Sequence, residues 1–229
     1  MERTEAAGAL AAEVGGLLEA LRGLSEDDAV RPTRCAPWDV AALAAHTVGA
    51  LRSVVVAVDG PEPERAEVTA AGYYAPDVRF SPEVNRDRVD RALDAAARRA
   101  DAGEAGRTGA ALWRDVRDRV ERAAPDRVVR TRHGDAMLLT DFLVTRVVEV
   151  LLHGLDLADA LGREPWAAPG AVGLVGRLLF GGADPAALER SGVSGLAAVR
   201  AATGRSLPGR PGPEAFTGAG VRFLALGPG

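Results

Sequence analysis

Glu149 and His153 stand four residues apart in the stretch Arg146–Gly162, RVVEVLLHGLDLADALG, where most other positions are apolar. On a helix that spacing puts both side chains on one face, one turn apart. A carboxylate among apolar neighbours is costly unless it is paired or bound to a metal. A Glu and a His at this spacing can share one cation, as the two imidazoles of zinc-protease helices do. The competing assignment is an ordinary hydrogen bond between the two. A second apolar stretch, WDVAALAAHTVGALRSVVV, is also interrupted by a ligand type, His46. The chain has three histidines, the third being His133. His46, Glu149 and His153 together make a ligand set for Zn2+ or another divalent metal, with positions left for water or substrate.

Other residues gather around these three. Arg146, one turn before Glu149, is expected to neutralise that carboxylate, bind an anionic substrate or make a structural salt bridge. Asp156, just beyond His153, can hydrogen-bond a ligand imidazole or cap the helix end. Trp38 is expected to pack at the start of the second helix. His133, in TRHGD, is expected to be exposed. Nothing around Cys35 in the sequence argues for a catalytic thiol.

These side chains need helices to hold them, and helical periodicity dominates the first 160 residues. A first helix is expected over about 3–24, with Leu10, Val14, Leu17, Leu18 and Leu21 at helical spacings. Residues 25–37 form a polar connection. A second helix starts near Trp38–Asp39, with Asp39 as N-cap. A long loop follows over 59–81, holding Tyr73 and Tyr74. Helix is expected over 82–102, a break over 103–109, helix again over 112–123, and extended chain or loop over 125–134. A last bundle helix runs over about 140–161 and stops at Gly162. The division expected is a bundle over 1–164 and a shorter C-terminal region over 165–229. The latter holds helices near 170–180 and 193–203 and one short strand near Val221–Leu226. The glycines of GAVGLVG do not follow a strong strand, which argues against a nucleotide site.

Composition sets the bounds. The 229 residues carry a net charge of −4, and Asp and Glu interleave with the arginine runs near 86–91 and 114–122. That favours solvated helix faces over a nucleic-acid surface. Cys35 is the one cysteine, so no internal disulfide forms. The start is acidic rather than signal-like, and no apolar run is judged long enough to cross a bilayer, so a cytoplasmic location and no membrane partner are expected.

CAPWDVAALAAHTVGALR, followed about a hundred residues later by LTDFLVTRVVEVLLHGLDLADALG, resembles the mycothiol-dependent maleylpyruvate isomerase family. The likeness covers roughly residues 5–162. It implies a mainly α fold, a DinB-like metal-binding four-helix bundle, here with a short C-terminal extension of α+β character. It also implies a metal, usually zinc, on His46, Glu149 and His153, with mycothiol as thiol co-substrate. The expected activity is metal- and thiol-dependent isomerisation or S-transfer on a small electrophile, by a monomer or homodimer. The alternative is a metal-binding bundle that binds a small ligand or serves a stress role without thiol chemistry. The family's fuller C-terminal domain supplies an arginine to substrate carboxylates. Here the tail is abbreviated, and AATGRSLPG makes Arg205 the candidate anion contact.

Overall fold

A computed structural model describes residues 2–74 and 81–222. Four long helices make the frame: α1 (Arg3–Arg22), α3 (Val40–Asp59), α6 (Glu104–Arg122) and α7 (Leu139–Leu161). Each packs on two others, α1 on α7 and α6, and α3 on α6 and α7, which closes a four-helix bundle. Short α2 (Glu26–Ala29) lies between α1 and α3, and α4 (Ala70–Tyr73) and α5 (Pro82–Ala97) lie between α3 and α6.

The ends of these helices follow local chemistry. Ser25 and Asp28 form a reciprocal capping box on α2. The Asp39 carboxylate accepts from the Ala42 amide and so caps the helix that carries His46. Ser81 caps α5. Gly162 ends α7 at φ 63, a left-handed conformation that suits glycine.

α7 is the centre of the molecule. Leu143, Leu151, Leu152 and Leu155 are buried completely or nearly so. Each contributes about 1.5–3 kcal/mol on leaving water. Thr145, Arg146 and Asp156 are buried with them, so this helix must find polar partners inside the protein.

Several expected boundaries change. The polar connection holds α2, and the 59–81 loop holds α4. Part of that loop is strapped to the hairpin below, since Glu67 and Val68 amides donate to the Ala136 carbonyl. Its residues 75–80 lie outside the described residues. The expected break over 103–109 is a turn ending at Gly103, and α6 runs through Gly106 and Gly109. Those glycines allow close packing: a Cβ at Gly109 would sit 2.7 Å from Leu18 Cδ2, and one at Gly106 would sit 3.2 Å from the α1 backbone. The 125–134 segment contains β1 (Val128–Arg130), paired antiparallel with β2 (Ala136–Leu138) and with Val129 opposite Met137.

The tail holds α8 (Pro169–Phe180), an additional α9 (Pro185–Ser191), α10 (Gly195–Ala202) and a 3-10 turn over Pro213–Phe216. α8 packs on α1 and α7, and α10 packs on α8. Trp166 enters a notch made by Gly16 of α1 and Gly154 of α7. Of the strand expected near Val221–Leu226, Val221 and Arg222 are described and are not in a strand; the rest lies outside the described residues.

The expectation that no apolar run approaches membrane-spanning length is corrected for α3. By length and hydropathy it qualifies, but 61% of its apolar window is buried within the protein. A core helix packed on three others has the same composition.

Candidate metal centre

His46 comes from the middle of α3, and Glu149 and His153 come from successive turns of α7. Because α3 packs beside α7, the three side chains converge. Glu149 Oε2 lies 3.8 Å from His46 Nε2 and 3.5 Å from His153 Nε2. The imidazole rings stand edge to face, 5.0 Å between centroids. Ligands about 2.0–2.1 Å from one tetrahedral ion are separated by roughly 3.4 Å, so these spacings fit a shared cation with small adjustment.

Electrostatics agree with that use. Burial, with the nearby His153 charge, lowers the His46 pKa to about 4, although Glu149 pulls the other way. His46 is therefore a neutral imidazole at pH 7, the form that ligates metals. Burial pushes the Glu149 carboxyl up, but the adjacent His153 and His46 imidazoles, with the Arg146 charge, outweigh it and hold the pKa well below the usual range. Burial disfavours a charged His153, yet Asp156, Cys35 and Glu149 raise its pKa well above the ordinary value. With no cation between them, the two carboxylates keep a proton on His153.

The supporting shell is more extensive than the sequence indicates. Asp156 Oδ2 lies 3.2 Å from His153 Nδ1. Arg205 closes its fork on the same carboxylate, donating from Nε to Oδ1 at 2.9 Å and from Nη2 to Oδ2 at 2.8 Å. Burial raises the Asp156 pKa, but His153 and Arg205 overcome this and hold it far below normal. Cys35 Sγ donates to Oδ2 at 3.4 Å. Trp38 lies against His46, with ring centroids 4.5 Å apart, and donates its indole N–H to the Val89 carbonyl. Arg200 makes a second fork, onto Asp159 one turn further along α7.

His46, Glu149 and His153 meet, with Asp156 beside His153. Arg146 is on the same face but makes no ion pair within 4 Å among the described residues; its guanidinium donates to the Thr145 and Ser53 hydroxyls and lies over Phe142. Arg205 reaches the site through Asp156. His133 is half-buried rather than exposed, because Tyr73 packs near it at 6.0 Å. Sequence reasoning missed Arg200, the contact of Cys35 and the stacking role of Trp38. The CAPWD order, which puts cysteine and tryptophan just before a helix cap, is the signal that could have pointed to the last two.

A second group, Cys35, His153 and Asp156, also brings metal-binding atoms together. Its carboxylate is already committed to Arg205 and His153, which suits a positioning role better than ligation. His46, Glu149, His153, Cys35, Arg146 and Arg205 border one cavity of about 910 Å³, walled by α3, α5, α7 and the hairpin. That volume holds a drug-sized molecule.

No curated protein and no solved structure matches the chain. The family described as mycothiol maleylpyruvate isomerase N-terminal domain matches residues 10–158, a span that contains α3, all but the last turn of α7 and all three convergent side chains. By that match the chain belongs to the mycothiol maleylpyruvate isomerase N-terminal domain family.

Proposed function

We propose that this protein is a metal-dependent enzyme that uses a low-molecular-weight thiol, mycothiol, to isomerise a small electrophile or to be conjugated to it through the thiol sulfur (S-transfer). The observation that carries the proposal is the convergence of His46, Glu149 and His153 at the wall of a cavity large enough for thiol and substrate together. A divalent cation held there, Zn2+ by its preference for imidazole and carboxylate, favours the thiolate form of a bound thiol, which is the nucleophile.

The chain's own residues set the geometry. His46 would hold the cation through Nε2 and is braced from behind by Trp38. Glu149 supplies the negative charge. His153 presents Nε2 to the centre while Nδ1–H donates to Asp156, which fixes the tautomer and the ring. Arg205 holds Asp156 in place and keeps it ionised. In this account Arg205 and Asp156 are positioning residues, and Arg146 is the one basic group that faces substrate from α7. The mostly apolar floor of Trp38, Val148 and Leu152 limits water near the thiol. The reaction belongs in the cytoplasm, on a small molecule, without nucleic acid or membrane, in a monomer or homodimer of a bundle (1–164) with its C-terminal region (165–229).

Calorimetric titration of zinc-loaded protein with mycothiol tests this. We expect one saturable site, and no binding of S-methyl mycothiol. Equal binding of both would instead support a ligand-binding bundle without thiol chemistry.

A further inference from the structure

The cavity wall has an unusual charge for an acidic protein. Eight arginines and two acidic residues, Asp90 and Glu149, line it among the described residues. Most of these arginines are committed elsewhere. Arg86 pairs with Glu83 and Arg91 with Asp87 along α5. Arg130 donates to the Gly134 carbonyl, and Arg205 is closed on Asp156. Arg88 also has an interaction of its own.

Three arginines remain, none with a carboxylate within ion-pair distance among the described residues. Arg146 is 6% exposed. Its Nε and Nη1 reach hydroxyls, and its Nη2 is buried with no hydrogen-bond partner among the described residues. A buried guanidinium with an unmet donor costs free energy that contact with Phe142 and Tyr73 offsets only in part. Such an orphan in a cavity wall calls for an acceptor from outside. Arg132, on the hairpin, donates to Nε2 of His133 and has no carboxylate partner among the described residues. Though Arg132 reaches solvent, loss of water around it and the like charges of Arg88 and Arg91 lower its pKa, a sign of excess positive charge. Arg52, beside Ser53 on α3, has no ion-pair or hydrogen-bond partner among the described residues. Glu149 does not cancel this excess when it serves a cation.

We propose that Arg146, with Arg132 and Arg52, forms an oxyanion subsite one helical turn from Glu149, so that the substrate is an electrophile carrying a carboxylate or a phosphate. This rests on the metal- and thiol-dependent function proposed above and assigns the anion to the bundle and hairpin rather than to the tail arginine. Guanidinium groups suit both oxyanions. The metal-side wall, with Trp38 and Leu152, is left for the uncharged part of the molecule.

The test is calorimetry on the full chain with succinate, inorganic phosphate and uncharged dimethyl succinate. Wild type, R132Q and R146Q are each titrated metal-free and zinc-loaded. We expect saturable succinate or phosphate binding in both forms, no binding of the diester, and affinity at least about tenfold weaker in R146Q. R132Q, whose side chain reaches solvent, should weaken it several-fold and decides the matter if R146Q does not fold. The tighter of the two anions identifies the substrate's charged group. Absence of saturable binding, or affinity unchanged in R132Q and in folded R146Q, overturns the proposal. So does binding confined to the zinc-loaded form and equal in all variants, which places the anion on the metal. A protein that takes up no metal refutes the proposed function yet leaves the metal-free titrations decisive for this subsite.

Discussion

Asp156 shows how one residue serves two neighbours. Its carboxylate orients His153 through Nδ1 and neutralises Arg205, with all three groups largely withdrawn from water. Removing an outer partner of a ligating imidazole commonly weakens metal affinity about 10–100-fold. We expect D156N to fall in that range when it competes for zinc against a chromophoric chelator, and to melt below wild type because Arg205 loses its buried counter-charge. Wild-type affinity in a folded D156N protein would remove Asp156 from the site. The convergence of His46, Glu149 and His153 was legible at this scale because apolar stretches interrupted by Glu or His stand out against their surroundings. The Asp156–Arg205 pair was not, since the two are 49 positions apart and nothing local to Arg205 says which acid it meets.

Helix placement does the next part of the work. α3 holds His46 at a fixed height against α7, and its first turn depends on the Asp39 carboxylate meeting the Ala42 amide. Replacing that cap with alanine should cost about 1 kcal/mol, a Tm lower by roughly 2–4 °C in a chain of this size. D39N should restore most of the loss, because asparagine caps as well as aspartate. A D39A melt equal to wild type would show that packing alone fixes the helix start. The long helices were readable from periodicity and caps. The glycines of α6 misled, because Gly106 and Gly109 read as breakers when they are contact points against α1 and α3. The hairpin was missed for a related reason: three-residue strands carry too little alternation to show, and their pairing is set by the turn and by the loop strapped across them.

Across the whole molecule, the tail is tied to the bundle at two ends. Arg200 and Arg205 clip it to α7, while Glu13 of α1 accepts from the Ala168 amide near Trp166. Glu13 is fully buried, and its other oxygen has no partner. Desolvation, partly countered by that amide, raises its pKa from 4.5 to about 7. Below pH 4.5 both folded and unfolded chains hold the proton. Between 4.5 and about 7 the unfolded chain releases it while the folded chain keeps it, so stability falls as pH rises. The loss amounts to roughly 3 kcal/mol by pH 7 and above. E13Q should therefore melt higher than wild type at pH 8 and converge with it near pH 4.5. Parallel curves across that range would contradict a protonated Glu13. The sequence hinted at this tail only by composition, since its attachment depends on single side chains meeting distant partners.

The proposed chemistry depends on His46, Glu149 and His153 holding one divalent cation. Metal content per chain, measured by mass spectrometry after zinc reconstitution and desalting, tests it most directly. We expect about one zinc per chain in wild type and loss of it in H46A, E149A and H153A, with each variant still helical by circular dichroism. Wild-type protein without stoichiometric zinc, or folded variants that keep it, would contradict the account.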